Sequence, residues 1–208
     1  GLLIGLVPTI VDGVKPALRA RLDFSEARID RYSQLFFLTW LPAMPAAGWL
    51  LDNWFNRELL LYLGLLPLIL GFAWLALARS WISVLANAVL LGVGYSMLST
   101  ATVRLMTTAF FPEYHPEYPL IIASLNFGFV AAGVGAIVGP WVMRAIDRWC
   151  GMRQGLLYLA IAILVPAVIT ALCERSAFPQ PVTYGDDWQG TSTTHLTLIA
   201  LVILIYFA

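Results

Sequence analysis

The sequence predicts an all-α fold, a polytopic bundle of membrane-crossing helices, and three observations predict it. The 208 residues are 60% hydrophobic and only 12% charged, with mean hydropathy +0.81. A soluble core of this length cannot hide that much apolar surface. The apolar residues fall into runs of roughly 20, the length that carries a helix across a hydrocarbon core of about 30 Å. The gaps between runs are short, polar and flanked by tryptophan, as at a membrane–water interface.

In chain order the runs are read at about 1–20, 31–51, 58–78, 82–109, 119–143 and 154–173, a six-helix unit over 1–173. The first carries Asp12, Lys15 and Arg19 at i, i+3 and i+7, one helical stripe. The second ends in the turn Asp52-Asn53-Trp54-Phe55-Asn56-Arg57. The third has little polarity beyond Tyr62 and reads as lipid-facing. The fourth carries Ser96, Thr100, Arg104 and Thr107 on one face, and the fifth a small-residue stripe of Ser124, Gly128, Ala132, Gly135 and Gly139. Such stripes let helices approach closely in lipid. The sixth is bland again, offering Tyr158 and Thr170. Residues 174–193, with Pro179, Pro181, Gly185 and Gly190, form a polar turn-rich linker, and 194–208 start a seventh span. The chain opens and stops inside apolar runs, so it reads as a fragment of something longer.

Polar first and bland third members occur twice. That is the plan of an inverted three-plus-three repeat, in which the first member of each triplet lines a pathway. The turn after the second run is echoed after the fifth, where Asp147, Arg148, Trp149 and Arg153 repeat its Asp, Trp and Arg.

Gly48, then Asp52, then Arg57 resembles the loop signature between helices two and three of the major facilitator superfamily (MFS). That pattern has a basic residue after the aspartate, then a glycine and a further basic residue; Asn53, Phe55 and Asn56 stand in those places here. The run Gly135-Ala136-Ile137-Val138-Gly139-Pro140 resembles part of the fifth-helix glycine–proline motif of the family's antiporters, but Met143-Arg144 replaces the expected paired glycines, so antiport does not follow. The polar fifth helix is loosely similar to the fucose-permease branch. The resemblance implies the N-terminal half of an MFS-type secondary transporter plus the start of helix seven. It makes Gly48, Asp52 and Arg57 a cytoplasmic latch between conformations, with Gly48 permitting close helix approach.

An ionisable group inside a span costs at least about 2.5–3.5 kcal/mol and is a functional candidate. Asp12, Arg104 and the amide Asn126 are therefore the expected substrate or proton pathway, and Gly135, Gly139 and Pro140 the packing or hinge element. Asp12 and Arg104 pair across a cavity if spans one and four face each other. Otherwise Asp12 pairs with Lys15, and Arg104 reaches headgroups. The expected partners are the lipid bilayer and a small solute, alone or with a coupling proton or cation, in a multi-pass protein of the plasma or inner membrane.

Twelve basic residues against twelve acidic leave no excess for nucleic acid. HExxH, G-x-S-x-G and G-x-x-x-x-G-K-[ST] are absent, so no enzyme, cofactor or metal site is expected, and gradient-driven transport is favoured over ATP-driven pumping. His115 and His195 stand alone, and Cys150 and Cys173 bracket a span about 34 Å long, too far for a disulfide. The alternative is a polytopic membrane enzyme or assembly scaffold with its chemistry elsewhere. Basic residues gather around the first, third and fifth gaps, which the positive-inside rule would place in the cytoplasm. The family layout places those gaps outside, and is retained here.

Overall fold

The computed structural model describes residues 1–54, 57–109 and 118–173, within one compact unit, Gly1–Glu174. The expected linker 174–193, the start of a seventh span and both histidines lie outside the described residues. The described chain is helical: α1 Leu2–Gly13, α2 Lys15–Leu22, α3 Glu26–Asn53, α4 Arg57–Leu77, α5 Trp81–Ala109, α6 Tyr118–Trp149 and α7 Gly151–Cys173.

The first expected span is thus two helices. Pro16 has no N–H to continue the ladder, so the chain turns at Val14 and restarts as α2. That helix stops at Asp23, which takes the left-handed conformation (φ 52°) and returns its N–H to the Arg19 carbonyl. Among the described residues five helices are long and apolar enough to cross a membrane, namely α3 to α7; α1, at 12 residues, is not among them.

Helix α5 is the hub, packed on α3 and α4 and touching α6 and α1. Its partners fix directions. Gly92 lies against Phe36 and Thr39, and Arg104 meets Asp52, so α3 and α5 run parallel. Gly64 meets Leu98 and Gly71 meets Leu91, so α4 runs antiparallel to α5. Gly1, Gly5 and Gly13 lie in turn against Gly128, Ala132 and Met143, so α1 and α6 also run parallel. Tyr95 donates to the Ile4 carbonyl at 2.7 Å while Met106 reaches Gly1, so the α1–α6 pair runs opposite to the α3–α5 pair. The core between them is aliphatic and aromatic, with Ile10, Tyr32, Phe36, Leu68, Phe72 and Leu91 fully buried.

The bland third and sixth runs are not the most exposed. In the 18-residue apolar windows, α3 is 11% buried and α6 17%, against 44% for α4 and 29% for α7. Apolarity does not decide this, because a lipid-facing side chain and a core side chain have the same composition. α4 shows both uses: Leu66, Leu70 and Trp74 point outward while Leu68, Phe72 and Leu75 are buried.

The close of α4 is tied down from α2. The Arg21 guanidinium donates to the carbonyls of Ala76 (3.0 Å), Leu75 (3.3 Å) and Ala78, satisfying acceptors that a helix C-terminus leaves open. Arg21→Gln is expected to lower stability by about 1 kcal/mol through these carbonyls and the helix dipole, seen as a lower melting temperature of the purified protein.

Candidate functional site

The polar residues gather at the two ends of the bundle. At the end where α3 and α5 finish, Arg104 Nη2 donates to Asp52 Oδ1 at 2.7 Å, with both side chains 57% exposed. The parallel run of α3 and α5 brings these side chains level, and the pair ties one helix end to the other. Trp49 and Trp54 meet at a tilt of 47°, ring centres 5.8 Å apart. Arg57 opens α4 at the same end, and its side chain lies outside the described residues.

At the opposite end Asp12 Oδ1 lies 2.8 Å from Lys15 Nζ and accepts a hydrogen bond from Ser33 Oγ at 3.0 Å. Lys15 also stands 3.9 Å from Asp30 on α3. Arg19 pairs with Glu26, joining α2 to the start of α3. Lys15, Arg19, Asp23, Glu26, Ile29 and Asp30 line an open groove of about 670 Å³ here. One ammonium between carboxylates of two helices can change partner by rotating a single side chain.

Of the two pairings open to Asp12, the one with Lys15 is made and the one with Arg104 is not. Ile4 and Tyr95 meet, and Asp12 and Arg104 lie eight and nine residues beyond that contact in opposite directions, about 25 Å apart along the axes at 1.5 Å per residue. Each takes a local partner, Lys15 and Asp52. Asn126 is exposed near the Arg104 end, two residues before the level of Gly1 and Met106. The three pathway candidates do not converge.

Gly48 does not serve a close approach: a Cβ there meets nothing within 4 Å. Its neighbour Ala47 is the buried residue, packed with Leu60 and Ala101. Gly48→Ala is expected to be neutral or to stabilise α3 by up to about 1 kcal/mol, the usual helix preference for alanine, read as an unchanged or higher melting temperature.

Gly135 and Gly139 are where close approach occurs. Both are buried in the α1 seam, where a Cβ would strike the Leu2 carbonyl and the Thr9 hydroxyl. α6 passes Pro140 without ending, and Pro140 faces outward.

Sequence reasoning missed two features. Gly1, Gly5, Thr9 and Gly13 form an i, i+4 stripe on α1 that matches the α6 stripe, and its spacing was legible. Ser33 as a partner of Asp12 carried no signal, because only the turn between α1 and α3 brings them together. Midway along the bundle, Trp40 packs on Tyr95 (5.3 Å between ring centres) and Phe37, and its Nε1 has no hydrogen-bond partner among the described residues. The buried Ser96 Oγ, one residue from Tyr95, is in the same condition. No three His, Cys, Asp or Glu side chains gather as a metal would need, among the described residues.

Compared with protein-family models and with curated proteins, the chain matches none.

Proposed function

We propose that the chain is one half of a secondary transporter of the MFS type, with α3 to α7 crossing the bilayer beside the broken first run and a small solute moved, alone or with a coupling proton or cation, by alternating access. The observation that carries the reading is the pair of parallel helix pairs running in opposite directions. Exchanging the first three runs with the last three turns α1–α6 into α5–α3, the correspondence an inverted repeat requires. The Asp52–Arg104 pair supports it from the chemistry: it joins the latch residue of the resembled loop to the polar fourth run. In this reading the pair clamps one end of the pathway and the Asp12–Lys15–Ser33 cluster the other. The outward face of α6 that holds Asn126, Phe129, Gly133, Ala136 and Pro140, small for most of its length, turns to the solute or to a second bundle.

Gly133 lies at the centre of α6, exposed, with open space where a Cβ would stand. In the intact protein, a Gly133→Cys thiol is expected to react with a water-soluble, membrane-impermeant maleimide from either side of the membrane, at rates that change in opposite senses when Arg104 is replaced by alanine. A thiol unreachable from both sides, or reachable from one side and indifferent to Arg104, rules out alternating access at this face. A reporter fused after Arg57 is expected to read cytoplasmic.

A further inference from the structure

The second outward face of α6 has a different chemistry, and this inference rests on the membrane-crossing part of the reading above. Val130, Val134, Ile137 and Trp141 follow one another at helical spacing and are 64%, 45%, 71% and 70% exposed. The same strip continues through Arg144 and Arg148, both exposed. Counted from Phe127, which begins it at 65% exposure, the apolar part is about 21 Å long, enough to pass through the roughly 15 Å of hydrocarbon in one leaflet. The order along the strip is aliphatic, then tryptophan, then arginine. A bilayer changes in that same order from hydrocarbon to interface to phosphate.

The arginines are free to take an anion. Arg144 lies over the Trp141 ring, 5.8 Å from its centre, which holds the guanidinium at the aromatic level. Gly151, at φ +72°, makes the tight turn that starts α7, so Arg153 returns to the same end. Among the described residues Arg144, Arg148 and Arg153 form no ion pair, although Asp147 lies between the first two in sequence. Lys15 and Arg19 at the same end are paired, and Arg28, Arg31 and Arg79 are exposed there as well, but only the three arginines of the α6–α7 turn continue an apolar strip. The field of that turn extends to α2: burial first, and then the charge of Arg153, lower the proton affinity of Arg21. A guanidinium remains charged there.

We infer that this strip is an anionic-phospholipid site, with an acyl chain along Val130, Val134 and Ile137 and the headgroup phosphate among Arg144, Arg148 and Arg153. Bulky branched side chains suit a fluid chain, whereas small residues suit a helix, so the lipid takes this face and not the one through Gly133. Arginine is suited to the headgroup because its fork can hold two phosphate oxygens.

The test is native mass spectrometry of the intact protein after exchange into vesicles of equal phosphatidylglycerol and phosphatidylcholine. The protein is expected to retain phosphatidylglycerol over phosphatidylcholine by about tenfold or more, as three basic residues near a phosphate imply. Arg144→Gln, Arg148→Gln and Arg153→Gln together are expected to bring the ratio near one, and the corresponding three lysine substitutions to keep most of it. Equal retention by the wild type, a ratio unchanged in the glutamine variant, or displacement of the lipid by millimolar inorganic phosphate overturns the site. Carbonate extraction separates the two readings. A protein that washes off membranes removes the membrane reading and this one together; a protein that resists the wash but shows no lipid preference removes this one alone.

Discussion

Gly135→Val is expected to abolish the stable fold of the bundle, while Gly133→Val, two residues away, leaves it nearly intact. A Cβ on Gly135 runs into the backbone carbonyl of Leu2, which no rotamer change can move aside, and Gly5 opposes Ala132 in the same way. Overpacking with room to relax costs about 1–3 kcal/mol; against backbone, with two further methyl groups, the cost should reach or exceed about 3 kcal/mol. Much of a total of roughly 5–15 kcal/mol would be lost. Since α1 is the main partner of α6, losing the seam detaches α6. The measurement is the monodisperse fraction on size-exclusion chromatography and the melting temperature. Gly5→Val should behave as Gly135→Val does. Equal behaviour of the 133 and 135 variants would show that the seam is not where α6 is held.

Exchanging the partners of the Asp52–Arg104 pair is expected to have a large effect of another kind. With both side chains more than half exposed, the pair contributes no more than about 1 kcal/mol to folding. Asp52→Asn or Arg104→Ala should therefore leave the melting temperature almost unchanged. The same 1 kcal/mol is about a fivefold shift in population for two conformations of similar energy. Either single change should then open that end, raise thiol labelling at an Asn53→Cys position about fivefold, and remove solute uptake without preventing membrane insertion. The double exchange Asp52→Arg with Arg104→Asp should recover most of the labelling pattern. Unaltered labelling in both single variants would make the pair an incidental surface contact. Asp12→Asn, at the opposite end, is expected to abolish uptake as well, by releasing Lys15 to Asp30.

Asp52 and Arg104 were each legible as candidates, one as a loop aspartate and one as a cation inside an apolar run. Their pairing was not. The sequence left Asp12 to pair with either Arg104 or Lys15, and Lys15 is the partner found, because a polar stripe tells which face of its own helix a residue occupies and says nothing about which neighbour that face meets. The level of a residue along the bundle was hidden too: Asn126 and Arg104 share an end only because α5 and α6 join there. Gly48 and Gly135 make the same point about glycine. Both follow from the rule that small residues permit close approach, but one faces open space and the other a carbonyl.

Over the described residues, the sequence by itself determined that the chain is helical, how many long apolar helices it offers between residues 26 and 173, and where they turn, since run length, proline and glycine act locally. It also determined which side chains carry charge at a cost. Only the tertiary structure decided that α5 is the hub, that α3 and α6 keep the most exposed surface, and which ions pair. The reason is that lipid and protein interior are equally apolar, so hydrophobicity sets how much of each helix is hidden from water but not what hides it. Shape, through the glycine seam and the parallel pairs, makes that choice.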